Sequence, residues 1–116
     1  MTTTNKIRLS VYLYRDRAAK CYVAYCPSLN LCGYDRTATA AKKDFLYVLR
    51  EYWKDMEESG ELVEDLKRHG WRETENGMAA PTFSTMYREK GSVLRDILSD
   101  DDLNYQRYNV PCSIMP

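Results

Sequence analysis

The chain has 116 residues, enough for one domain with a real core, and its 44% hydrophobic and 29% charged residues exclude a disordered polymer. Seventeen basic residues balance seventeen acidic ones, so the formal charge is zero and no broad phosphate-binding surface is indicated. No apolar run approaches the roughly 18 residues of a membrane span, and no apolar stretch precedes Ile7. A cytoplasmic protein without a signal peptide and without membrane contact is expected.

In chain order, Ile7, Leu9, Val11 and Leu13 alternate with Arg8, Ser10, Tyr12 and Tyr14 over residues 7–14, which predicts a half-buried strand. Residues 15–20 are a polar connector suited to a hairpin. Residues 21–26 (Cys-Tyr-Val-Ala-Tyr-Cys) are rich in β-formers, and Pro27, which lacks a ladder donor, ends that strand. A shorter third strand is expected over 29–34. The short connections predict an antiparallel meander.

Thr37 then opens a helix as N-cap, its hydroxyl accepting from an amide of the first turn. Ala38, Ala41, Phe45, Val48, Leu49, Tyr52 and Met56 follow at helical spacing as one apolar stripe, and Gly60 ends the helix. Beyond it, residues 61–69 read as a short helix, 71–80 as a turn-rich polar stretch and 81–87 as a strand. Residues 92–98 read as a helix capped by Ser92, with Val93, Leu94, Ile97 and Leu98 facing inward. Residues 99–102 form an acidic turn, and 105–115 a tail or edge strand, since Pro111 is confined to an edge. The fold class is therefore α+β: an antiparallel sheet of three to four strands, one long helix packed on it, and short C-terminal helices with a tail. Residues 1–60 form the core, and 61–116 an extension expected to pack on the same domain.

The chemistry-bearing residues are sparse. Cys21, Cys26, Cys32 and Cys112 match no zinc spacing and are read as free thiols, so no metal and no cofactor are expected. Cys21 and Cys26 fall on opposite faces of one strand. His69, the single histidine, ends a helix, where it helps to cap the carbonyls. Asp16 and Asp35 belong to turns, and Asp44 is expected to face solvent. There is no glycine-rich phosphate loop and no nucleophile elbow, so no enzyme is expected. The ten tyrosines are more informative. Tyr12, Tyr14, Tyr22 and Tyr25 place phenols on both faces of the first two strands, either as an interface or as the cover of the sheet's outer face.

The run Tyr22-Val23-Ala24-Tyr25-Cys26-Pro27-Ser28-Leu29-Asn30-Leu31-Cys32-Gly33-Tyr34, followed by Thr37 and Ala41 on a helix, resembles the HicB family of antitoxins over about residues 7–56. Asp35 stands where the family often has Gly, a position at which Asp tolerates left-handed backbone. Ala40 stands where a Glu would complete a capping box with Thr37. The tail Tyr108-Asn109-Val110-Pro111 is similar to shorter HicB-like proteins. Residues 67–71 are similar to the opening of the toxin itself, although the toxin's Gly-Ser-His is absent. The resemblance implies a β-β-β-α core like a partial ribonuclease H domain without its catalytic carboxylates. It also implies a homo-oligomer that occludes a HicA-type messenger-RNA-cleaving toxin. On that reading Tyr22, Tyr25, Pro27, Leu29, Asn30, Leu31 and Tyr34 lie in or beneath the partner-binding surface, with Thr37 as its structural cap. The alternatives are a DNA-binding autorepressor of its own operon, for which no helix-turn-helix or ribbon-helix-helix is found, and an active ribonuclease-H-type nuclease.

Overall fold

The computed structural model describes residues 5–75, 77–89, 91–99 and 105–114. Strands β1 (Asn5–Asp16), β2 (Cys21–Cys26) and β3 (Leu31–Asp35) form the expected antiparallel meander. A fourth strand, β6 (Gln106–Ile114), pairs antiparallel with β1 and gives the order β3-β2-β1-β6. Pro111 therefore does sit in an edge strand, opposite Arg8. Met115, the last residue of the expected tail, lies outside the described residues, as do Asp100, Asp101 and Asp102 of the acidic turn.

Helix α1 (Ala38–Ser59) begins as its sequence dictates. Thr37 is extended, and its hydroxyl accepts from the Ala40 amide at 3.1 Å. It ends at Gly60, whose φ of 73° is the left-handed conformation that glycine adopts without a Cβ penalty. There the Gly60 and Glu61 amides donate back to Glu57 and Met56. Helix α2 (Leu62–Arg68) closes in the same way, with Gly70 at φ 90° and the Trp71 amide donating to the Leu66 carbonyl.

Alternation along the strands divides the apolar residues between two cores. Leu9, Val11, Leu13, Ala24 and Cys26 face α1, where Ala41, Phe45 and Leu49 are buried, and Leu62, Leu66 and Trp71 complete that core. The approach of α1 to β3 depends on Gly33: a Cβ there would lie 2.3 Å from the Phe45 amide nitrogen and 2.6 Å from its Cα. The second core lies on the opposite sheet face. It holds Tyr12 and Tyr25 against Met86 of α3 (Phe83–Glu89) and against Leu94 and Ile97 of α4 (Gly91–Ser99).

Three expectations for the second half are corrected. Residues 81–87, read as a strand, instead lead into and form most of helix α3, because Met86 alone of that helix is buried, under a one-sided helical packing. The turn-rich stretch 71–80 contains a hairpin of β4 (Arg72–Thr74) and β5 (Gly77–Ala79). Helix α4 starts at Gly91, so Ser92 is its second residue rather than its cap, and Val93 is exposed while Leu94 and Ile97 are buried.

Candidate protein-binding surface

The segment from Tyr22 to Thr37 forms one end of the sheet and its β3 edge. Its turn is held from several sides. Asn30 adopts φ 53°, a left-handed value that Asn accepts more readily than most residues, and its side-chain oxygen accepts from the Tyr25 hydroxyl at 3.4 Å. Cys26 Sγ and Ser28 Oγ are 3.3 Å apart. The Trp71 indole N–H donates to the Ser28 carbonyl at 2.8 Å, which ties the start of the second half to this turn. Pro27, Ser28 and Leu29 are consequently buried.

The structure divides the predicted site residues into two groups. Tyr25, Pro27 and Leu29 are buried and shape the surface from beneath, and Tyr22 and Leu31 are half-buried against the main core. Asn30 and Tyr34 reach solvent, with Tyr34 64% exposed. The open tyrosine-bearing sheet face considered from sequence is not available at its centre. Tyr12 and Tyr25 are packed under α3 and α4, and burial raises the hydroxyl pKa of both.

Among the described residues no strand pairs with the outer side of β3. Gly33 faces α1, so by alternation Cys32 and Tyr34 project to the other side. The Tyr34 amide donates to the Asp44 carboxylate at 2.9 Å, so it points away from β2. Asp44, expected to face solvent, is half-buried because it reaches from α1 to cap this amide. By the same alternation the Cys32 amide points outward. Asp35 remains in the extended strand and does not take the left-handed conformation; its carboxylate accepts from the Arg36 amide at 2.7 Å.

The remaining polar groups serve backbone and helix junctions. Asp16 accepts from the Ala19 amide at 3.1 Å in the first hairpin turn. The Tyr52 hydroxyl donates to Asp65 at 2.5 Å and joins α1 to α2, and burial together with this bond raises its pKa. His69 Nδ1 lies 2.8 Å from the Asp65 carbonyl at the end of α2. Among the described residues no group of three or more His, Cys, Asp or Glu is placed to hold a metal ion, and no helix is long and apolar enough to cross a membrane.

Sequence reasoning missed Asp44 as an edge cap, Trp71 as the anchor of the 27–30 turn, and the cover over Tyr12. Only Trp71 left a signal, as a lone indole after a helix-ending glycine. No family model, no curated protein and no solved structure matches the chain.

Proposed function

We propose that the chain is a HicB-like antitoxin, a cytoplasmic homo-oligomeric binding protein that neutralises a HicA-type RNA-cleaving toxin by occlusion. The observation that carries this reading is the open β3 edge, where an exposed tyrosine and an outward amide lie beside the capped start of α1. An edge strand offers unpaired backbone groups to an added strand, and a tyrosine beside it offers large area with a polar tip. A toxin strand paired at the Cys32 amide, since Asp44 already occupies the Tyr34 amide, with the Tyr34 ring and Asn30 amide gripping its side chains, would cover an RNA site without any chemistry by this chain.

The test is co-expression with the neighbouring small toxin gene, followed by growth rescue and pull-down. Tyr34→Ala is expected to weaken toxin binding at least tenfold, as truncation of a central tyrosine does in other interfaces. Cys32→Pro removes the outward amide together with the exposed thiol, and is expected to weaken binding more than Cys32→Ala, which removes the thiol alone, while leaving the far-ultraviolet circular dichroism unchanged. Full toxin binding by both Tyr34→Ala and Cys32→Pro, or no rescue by the unaltered chain, would refute the reading.

A further inference from the structure

The sheet has a second edge at β6, with which no strand but β1 pairs among the described residues. Its hydrogen-bonding phase follows from that of β3. In an antiparallel sheet each residue directs both backbone groups to one side, and neighbours alternate. The Tyr34 amide points away from β2, so Gly33 bonds to Ala24, and Val23 and Tyr25 in turn bond to Tyr14 and Tyr12. Leu9 and Val11 are left to bond Val110 and Tyr108, which turns Arg107, Asn109 and Pro111 outward. Pro111 agrees with this phase, since an outward position is where a missing N–H costs the β1 ladder nothing. Arg107 and Asn109 therefore offer N–H and C=O at the open edge, and Pro111 offers its C=O alone.

Beside this edge lies a groove. Helix α1 packs chiefly over β3 and β2, which leaves a space of about 530 Å³ between its other flank and β6. Leu46, Leu49 and Trp53 form the helical wall, and Val110 and Pro111 the strand side. The two elements advance in the same direction, since the Lys42 ammonium lies 4.8 Å from the Tyr108 ring centre while the later residues 46–58 meet Val110 and Pro111. Along that direction Arg50 and Lys54 come first and Glu57 and Glu58 follow. All four are exposed, and none engages in a salt bridge among the described residues.

We propose that β6 takes an extended peptide as a fifth, antiparallel strand, laid in the groove beside α1 and carrying a basic residue towards its N-terminus and an acidic one towards its C-terminus. Each part of the occupant has its reason. The free backbone groups of Arg107 and Asn109 call for a strand, because a helix has none to return. Every other pairing in the sheet is antiparallel, and that direction brings the peptide's N-terminal end to Glu57 and Glu58 and its C-terminal end to Arg50 and Lys54. Residues opposite Tyr108 and Val110 share their face of the sheet and meet the apolar wall of α1, so alternate positions are apolar. The β6 strand of a second copy fits less well: a two-fold axis at Asn109 sets Pro111 against Arg107 and leaves the Arg107 carbonyl without a donor. The site is separate from the toxin surface proposed at β3 and does not depend on it.

The test is a nuclear magnetic resonance titration of the full chain with the synthetic heptapeptide Lys-Thr-Val-Thr-Val-Thr-Glu and with its charge-exchanged form, Glu-Thr-Val-Thr-Val-Thr-Lys. The first is expected to bind saturably and to slow hydrogen exchange at the Arg107 and Asn109 amides, and the second to bind about tenfold more weakly. R50E/K54E/E57K/E58K reverses the charge order of the groove and is expected to reverse that preference, a result that damage to the fold cannot produce. Asn109→Pro removes an outward amide and is expected to weaken the first peptide about tenfold while the β1 amide resonances stay in place. No saturable binding of either peptide overturns the proposal, as does equal affinity for both, an unchanged preference in the charge-exchanged chain, or binding without protection of Asn109. A chain that light scattering shows as a dimer, with Asn109 protected before any peptide is added, overturns it too, since a second copy then holds the edge.

Discussion

The two faces belong to the same four-stranded sheet, yet they close in different ways. On the α1 face the first two strands contribute aliphatic side chains, with Leu9, Val11, Leu13 and Ala24 meeting Ala41, Phe45 and Leu49 from a helix that follows β3 directly. The opposite face is aromatic, with Tyr12 and Tyr25 meeting Met86, Leu94 and Ile97 from helices that arrive much later in the chain. A face that buries tyrosine has to seat each hydroxyl, and Tyr25 does so on Asn30 within its own turn. On the α1 face Tyr52 seats its hydroxyl on Asp65, whereas Tyr108 keeps a buried hydroxyl without a partner among the described residues. The comparison teaches that the first face holds the fold, while the second decides how much of the sheet remains available for binding.

The comparison breaks most severely at Phe45. Truncation to alanine removes a fully buried ring from the larger core and is expected to cost about 3–5 kcal/mol, read by urea denaturation. At Gly33 the expected loss for alanine is about 3 kcal/mol or more, because the clashing atoms are backbone of α1 and cannot rotate away. Leu94→Ala tests the other face. It should cost about 2–3 kcal/mol, with the loosened region, detected by hydrogen exchange, confined to α3, α4 and the outer side of β1 and β2. If Leu94→Ala instead released α1 along with them, the two faces would be one cooperative unit and the distinction would fail.

Tyr108 sharpens the comparison through pH. Burial pushes its hydroxyl up to about 12 from 10.0. A proton held more tightly in the folded state gives stability that is complete below pH 10 and lost as pH rises through 10 to 12. Unfolding free energy is therefore expected to fall between about pH 10 and 12, with Tyr108 contributing on the order of 1 kcal/mol of that fall. Tyr108→Phe should remove this share of the alkaline loss. At pH 7 it should be neutral or slightly stabilising, since it deletes a buried hydroxyl that has no partner among the described residues.

How much of this was legible follows from where each signal lies in the chain. Alternation over residues 7–14 and the helical stripe from Ala38 to Met56 are local periodicities, and both faces of the meander could be assigned from them. The same alternation cannot say whether Tyr12 is wet, because that depends on Leu94 and Ile97, which belong to a distant helix of ordinary composition. Residues 81–87 misled for a related reason: Pro-Thr-Phe-Ser-Thr-Met-Tyr is rich in β-formers, but one buried Met86 under a helical turn outweighs a propensity spread of about 1 kcal/mol. In the candidate surface, Pro27 was readable as the end of β2 and Tyr34 as part of the third strand, but Asn30, expected within a strand over 29–34, lies in the turn before β3. The Asp44 cap was not, since a carboxylate ten residues along gives no sign of which amide it will meet.

The smallest effects lie at the start of α1, where the readable half of the molecule meets the candidate surface. Thr37→Ala deletes the hydroxyl that accepts from Ala40 and is expected to cost about 1 kcal/mol. Ala40→Glu should act in the opposite sense. The first turn of α1 carries no acidic residue, so a carboxylate there gains about 0.3–1 kcal/mol from the helix N-terminus and can reach back to the Thr37 amide. The two changes share one structural unit, so their effects should not add. In the Thr37→Ala background the gain from Ala40→Glu is expected to shrink, because the reciprocal half of the box is missing and the Thr37 position is no longer held extended. Equal gains in both backgrounds would mean that the introduced carboxylate acts only on the helix dipole. The tight entry into α1 beside Tyr34 would then owe its geometry to Gly33 and Asp44 rather than to the cap.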